Sequence, residues 1–240
     1  MRAGKHVLAE KPLTTDPRQT RELIGRARAG GLVLMENYMF VRHSRHARVR
    51  ELVAAGAIGE LRTLYGTFTM PPRPAGDIRH DPGLGGGALL DNGGYPIRAA
   101  QLFLGPDLEV AGACLHVDPA LKVDVSGSAL LRGPGGVTAH LLFGMAHLYV
   151  SDYQLLGSTG RITVERAFTP PASHPPTIRL DRQDERQYLT GVPDDQVAKA
   201  LTAFVTAVRD GAAPAGEAGV TVRQAELVEE IRRKALRCPA

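Results

Sequence analysis

The order of apolar and polar positions divides the chain into two regions of different rhythm. His6-Val7-Leu8-Ala9 is a short apolar run leading into Glu10-Lys11-Pro12, where proline, which has no amide hydrogen, must end a strand ladder. Asp16-Pro17-Arg18-Gln19 then offers an N-cap, a proline at the first helical position and Gln at the third, which predicts a helix start. Leu23, Ile24 and Ala27 form the apolar stripe of that helix, and Gly30-Gly31 stops it. Leu32-Val33-Leu34-Met35 follows as a continuous apolar strand, so residues 6 to 35 read as one β-α-β unit of about the usual 30 residues, the kind that builds parallel sheets. One such unit leaves its strands uncovered, so the chain is expected to begin in the middle of a larger doubly wound sheet.

Past Met35 the rhythm changes. A helix is predicted from about Arg45 to Ala55, with Val49, Leu52 and Val53 on one face, and strands without intervening helices follow it. In the strand Leu61 to Met70, Leu64, Phe68 and Met70 fall on one side and Thr63, Tyr65, Thr67 and Thr69 on the other. Further strands are predicted near 108–117, 123–132, 136–146, 148–157, 161–165 and 177–181. Gly133-Pro134-Gly135-Gly136 and Gly157-Ser158-Thr159-Gly160 read as hairpin turns, which predicts an antiparallel or mixed sheet. Two helices close the chain: Val197, Leu201, Phe204, Val205 and Val208 form the stripe of one, and a Thr221-Val222-Arg223-Gln224 capping box opens the other, with Leu227, Val228 and Ile231 buried. The fold class is therefore an α/β remnant over residues 1–38 followed by an α+β region over 39–240.

Composition narrows the function classes. Of 240 residues, 43% are hydrophobic and 22% charged, close to the globular average, so a soluble folded protein is expected. No apolar run approaches the ~18 residues of a bilayer span and no secretory signal opens the chain, which places the expected location in the cytoplasm with no membrane partner. Two cysteines, Cys114 and Cys238, suit a reducing compartment and build no disulfide framework; neither reads as a nucleophile or a metal ligand. The net charge of +4 favours anionic ligands mildly. The densest basic stretch, Arg42 to Arg50, lacks interleaved aromatics and reads as a solvated helix face rather than a nucleic-acid surface. His43 and His46 stand three apart without a completing ligand, so no metal is expected.

Three segments carry chemistry by residue type. Glu10-Lys11-Pro12 stands at the C-terminal end of a parallel strand, where open α/β sheets bind ligands, and an ammonium there can polarise a carbonyl. In Gly85-Gly86-Gly87-Ala88-Leu89-Leu90-Asp91-Asn92-Gly93-Gly94-Tyr95-Pro96, Asp91 and Tyr95 are four apart and would share a helix face, with the glycines admitting a ligand or cofactor close to the backbone. A phenol near a lysine is a proton-donor candidate, each expected to shift the other's titration toward neutrality. Met35-Glu36-Asn37-Tyr38-Met39-Phe40 places Asn37 at the same ligand edge. Gly83-Leu84-Gly85-Gly86-Gly87-Ala88 matches a dinucleotide fingerprint in letters only, because a polar loop and not a strand precedes it.

Ala3 to Pro12, the Gly85 to Pro96 run and Asn37 between them resemble, in order and spacing, the glucose-fructose oxidoreductase / inositol dehydrogenase (Gfo/Idh/MocA) family. Met35 to Ser44, Pro71-Pro72-Arg73-Pro74 and Asp77-Ile78-Arg79 look like its nucleotide-sugar 3-ketoreductases, and the similarity spans essentially the whole chain. The resemblance implies residues 1–38 as the C-terminal remnant of a Rossmann domain and 39–240 as a substrate-binding and oligomerisation domain, an open-faced sheet with helices on one face. It implies NADP, or NAD, as cofactor beside Glu10, Lys11 and Pro12. Lys11 and Tyr95 would be the catalytic pair, Asp91, Asn37 and Arg79 substrate contacts, and a keto group, at C3 of a nucleotide-linked deoxysugar, the target. A glucose-fructose oxidoreductase, a dihydrodiol dehydrogenase or a non-catalytic binding module stays open. A homo-oligomer is implied. Family members begin with G-x-G-x-x-G after a first strand, so two or more β-α units, ~80–100 residues, are expected upstream of Met1.

Overall fold

The computed structural model describes residues 1–240. Strands β1 (Val7–Ala9) and β2 (Leu34–Glu36) pair in parallel, Leu8 opposite Met35, and helix α1 (Pro17–Ala29) crosses between them. The β-α-β unit predicted from periodicity is thus present. Asp16 caps α1 by accepting from the Arg18 amide, with Pro17 in the first turn.

After helix α2 (Ser44–Ala54) the chain builds one large sheet from β3 (Leu61–Thr69), β4 (Glu109–Val117), β5 (Asp124–Arg132), β6 (Thr138–Gly144), β7 (Val150–Gly157), β8 (Arg161–Val164), β9 (Thr177–Arg182), β10 (Glu185–Thr190) and β11 (Leu236–Pro239). Nine strands lie in the order β10-β9-β8-β7-β3-β6-β5-β4-β11. Pairing is antiparallel except between β3 and β6 and between β4 and β11, so the sheet is mixed, as expected. The turns at Gly133–Gly136 and Gly157–Gly160 join antiparallel neighbours. Strands β10 and β11 were not expected: β10 (Glu-Arg-Gln-Tyr-Leu-Thr) has one strongly apolar residue, and β11 holds only four residues.

Helix α3 (Gly94–Leu104) packs on β3, and α5 (Glu217–Lys234) packs on β4 and α3. They cover one face of the sheet, where Leu64, Phe68, Leu141, Phe143, Tyr153 and Leu155 form its core. The opposite face is open: Tyr65, Leu130, Leu142 and Leu156 stand exposed on it. The remaining helix, α4 (Gln196–Asp210), does not join this core. It returns to the first unit, where Ala203, Phe204, Ala207 and Val208 pack around Leu8, Val33 and Met35.

Three local readings need correction. The stripe assigned to α4 is split: Phe204 and Val208 pack on the first unit and Ala200 and Ala207 are buried, while Val197, Leu201 and Val205 are exposed. A three-residue strand pair offers little width, and alanines let the helix approach it more closely than branched side chains would. Helix α5 begins four residues before the presumed capping box, after Gly216, whose φ of +82° suits glycine. Thr221 and Gln224 are therefore interior helical residues, both buried. The basic stretch is only partly solvated, since His43, Arg45 and His46 are buried. His46 bonds the Tyr153 hydroxyl (2.9 Å) and the Ala167 carbonyl (3.2 Å), which explains a histidine there without a metal.

Candidate active site

The C-terminal ends of β1 and β2 meet the start of α3. A π-helical turn, Leu89–Gly93, runs directly into α3, and such turns recur at functional sites because they re-aim a side chain without breaking the helix. Asp91 and Tyr95 consequently face the same neighbour. Lys11, just past β1, donates to the Asp91 carboxylate at 2.7 Å and to the Asp91 carbonyl at 2.8 Å, and its ammonium lies 4.9 Å from the centre of the Tyr95 ring. Arg79 donates through Nε to the other Asp91 oxygen at 2.5 Å and through NH1 to Asp77 at 3.1 Å. The predicted Lys11, Asp91, Tyr95 and Arg79 therefore converge, although eighty residues separate the lysine from the aspartate.

Asn37 and Glu10 form a second pair at the same edge. The Asn37 amide donates to the Glu10 carboxylate at 2.8 Å, and its backbone amide bonds the Ala9 carbonyl. Its side-chain oxygen is buried and has no partner within the chain. Pro12 follows Lys11 through a cis peptide bond. A cleft of about 800 Å³ is lined by Pro12, Thr15, Gly85, Lys122, Arg232 and Arg237 among others, and by none of Lys11, Asp91 and Tyr95. The catalytic candidates are defined by their convergence and not by that cleft.

Electrostatics separate the roles. Burial works to raise the Asp91 carboxyl, but the Lys11 ammonium and the Arg79 guanidinium outweigh it and hold the group below the ordinary carboxylate range. Tyr95 moves the other way. Its ring is enclosed by Tyr38, Phe40, Phe68 and Phe168, with centroids 4.8 to 5.9 Å apart. Burial, then the charges of Asp91 and Glu10, push its phenol well above its ordinary value. The expectation that the tyrosine is drawn toward neutrality is thus corrected. Lys11 faces the ring, its charge is met by Asp91, and the phenol is held protonated.

The glycines also act differently from expectation. A Cβ on Gly94 would stand 2.2 Å from the Tyr38 hydroxyl, and one on Gly93 would stand 3.1 Å from the Phe143 ring. They admit the protein's own aromatic rings, not a ligand. In the Gly83–Ala88 segment, Gly85 and Gly87 take positive φ within a loop, which leaves no strand-to-helix phosphate turn there.

Sequence reasoning missed the residues that hold this arrangement. Glu36, at the end of β2, is ion-paired with Arg98 of α3, with both side chains under a tenth exposed, and it also accepts the Leu13 amide at 2.9 Å. Arg98 in turn lies 4.5 Å from the centre of the Tyr38 ring. Gln224 of α5 donates to the Gly94 carbonyl (2.8 Å) and to Tyr38 (3.2 Å), and accepts from Gln101 (2.6 Å). These contacts lock β2, α3 and α5 around the tyrosine. Their only sequence signal is a charged or amide residue inside an otherwise apolar segment.

Comparison with known proteins gives the following relationships. Residues 46–163 match the model of the GFO/IDH/MocA C-terminal domain. A dTDP-3,4-didehydro-2,6-dideoxy-alpha-D-glucose 3-reductase of Actinomadura kijaniata is 50% identical over 232 residues, which are 97% of this chain and 70% of that protein. The protein of the same description from Streptomyces violaceoruber is 50% identical over 98% of this chain and 71% of its own length. A crystal structure of a 3-ketoreductase from Actinomadura kijaniata with NADP and TDP-benzene superposes with a TM-score of 0.97 at 49% identity, covering 100% of this chain and 74% of that one. That ketoreductase has also been solved with a tyrosine replaced by phenylalanine and with a lysine replaced by alanine.

Proposed function

The chain belongs to the GFO/IDH/MocA family, and from that premise we propose that it is an NADP-dependent oxidoreductase that reduces a keto group, at C3, of a dTDP-linked deoxysugar. The observation that carries the assignment of residues is the Lys11 ammonium, clasped by Asp91 and set 4.9 Å from the ring centre of a buried, protonated Tyr95. The tyrosine and the lysine replaced in the related ketoreductase are separated by the same length of chain as Tyr95 and Lys11, which supports the same two roles here.

Bound NADPH supplies the hydride that the carbonyl carbon accepts. The residues at the strand ends fit such a ligand: Asn37 presents a buried, unpaired acceptor that a ligand amide or hydroxyl would satisfy, and an unsatisfied acceptor costs about 1–3 kcal/mol. Glu10, Lys11, Pro12 and Asn37 would hold the nicotinamide end and the sugar beside it. Tyr95 donates its proton to the substrate oxygen as negative charge grows there. A phenol remains more acidic than the alcohol being formed, so the transfer is favourable even with its affinity for protons raised. Lys11, oriented by Asp91, supplies positive charge to the same oxygen, and Arg79 keeps Asp91 in place.

The exposed apolar residues Tyr65, Leu130, Leu142 and Leu156 on the open sheet face support self-association. No helix is long and apolar enough to cross a membrane; we place the protein in the cytoplasm, where nucleotide sugars are made. The test is NADPH consumption with a dTDP-linked 3-keto sugar. Tyr95→Phe is expected to lose about 10²–10⁴-fold in turnover, the usual worth of a positioned general acid. Full activity in a folded Tyr95→Phe protein would refute the assignment.

A further inference from the structure

The two cysteines of the chain, 124 residues apart in sequence, meet at one edge of the large sheet. Strand β11 adds in parallel to β4, with Leu236 opposite Cys114 and Cys238 opposite His116. Cys114 and His116 are two apart on one strand and share its outer face, because Leu115 between them is buried in the core. The two sulfurs stand 3.9 Å apart. A ring nitrogen of His116 completes a set of three donors that all lie within 4.8 Å of one another.

These spacings suit a tetrahedral ion. Zinc–sulfur bonds of about 2.3 Å set two thiolates ~3.8 Å apart along a tetrahedral edge, so the sulfurs already have the separation that zinc imposes. A disulfide would require them to close to ~2.05 Å. The imidazole needs to move inward by roughly 1 Å to reach its own edge length, and its exposed side chain is free to do so. Ser126 Oγ lies 3.3 Å from His116 Nδ1. An outer hydrogen bond of this kind fixes the tautomer of a ligating histidine and leaves its other nitrogen for the ion.

We propose that Cys114, His116 and Cys238 form a zinc site with water in the fourth position, and that the ion pins the C-terminal strand to the sheet edge. The site is separate from the catalytic one, since Tyr95 sits in the core on the helix-covered face of the sheet. Strand β11 is otherwise held to β4 by backbone pairing, and its Leu236 is exposed. Binding expels two thiol protons, so affinity falls as pH falls.

The test is a titration of the reduced full chain with Co²⁺, followed by displacement with Zn²⁺. Because there are no other cysteines, thiolate-to-cobalt charge transfer reports on this site alone. The expected result is an equimolar charge-transfer band with the visible bands of tetrahedral cobalt, loss of both on adding zinc, and a melting temperature that rises with zinc. Cys238→Ser, in the exposed terminal strand, should abolish the band, and His116→Ala should weaken zinc binding at least tenfold. No charge transfer with both thiols shown free by chemical titration, an unaltered band in Cys238→Ser, or unaltered zinc affinity in His116→Ala would each overturn the proposal. Should Cys114→Ser fail to fold, the wild-type and Cys238→Ser titrations still decide.

Discussion

Replacing Asp91 by asparagine keeps the shape of the side chain and removes the charge that meets both Lys11 and Arg79. Removing one partner of a fully buried ion pair costs about 3–5 kcal/mol. Here the Lys11 and Asp91 side chains are 11% and 18% exposed, so water screens part of the loss. Lys11 also keeps its bond to the Asp91 carbonyl, and Arg79 keeps Asp77. A loss of about 2 kcal/mol is expected, which lowers the melting temperature by roughly 4–8 °C in a chain of this size. The sign with pH follows from the lowered carboxyl: its stabilisation is complete above about pH 4 and is lost as pH falls through the depressed folded-state value, so wild type and Asp91→Asn converge in acid.

Turnover of Asp91→Asn should fall by about 10–100-fold through misorientation of the ammonium, with a smaller change in KM. Because the Asp91 charge helps to push the Tyr95 phenol up, Asp91→Asn should lower the pH at which that phenol ionises. The measurements are urea denaturation at several pH values and kcat against pH. Unchanged stability at neutral pH, or unchanged turnover in a folded Asp91→Asn protein, would refute the reasoning.

Two further outcomes are expected. Wild-type kcat should show no decline from phenol ionisation between neutral pH and about pH 10, because burial, Asp91 and Glu10 keep Tyr95 protonated beyond its ordinary range; a rate-limiting group titrating near neutrality that disappears in Tyr95→Phe would contradict this. Gly94→Ala should destabilise by about 1–3 kcal/mol and lower turnover, since the new methyl would press on the Tyr38 hydroxyl at the start of α3; denaturant melts and kcat check both.

Much of the secondary structure was legible because it rests on short-range physics. Asp16 and Pro17 start α1, alternation marks the strands from β3 to β8, and glycine turns join β5 to β6 and β7 to β8. The fold class, and the approach of Lys11 to Tyr95, were expected too, but through resemblance, since nothing local says that Lys11 reaches Asp91.

What tertiary structure alone decided is which surfaces meet. Apolar periodicity says that α4 has a greasy side, yet only Phe204 and Val208 of that stripe pack on the narrow β1–β2 pair, beside the buried Ala207, while Val197, Leu201 and Val205 face out. The apparent capping box in α5 is Thr221 and Gln224 facing inward, where Gln224 finds Gly94, Tyr38 and Gln101. The proton affinity of Tyr95 and the meeting of Cys114 with Cys238 are likewise products of packing. Backbone preferences act over a few residues and leave their mark in sequence, whereas burial, charge and ligand geometry depend on atoms that the chain brings together from a hundred residues away.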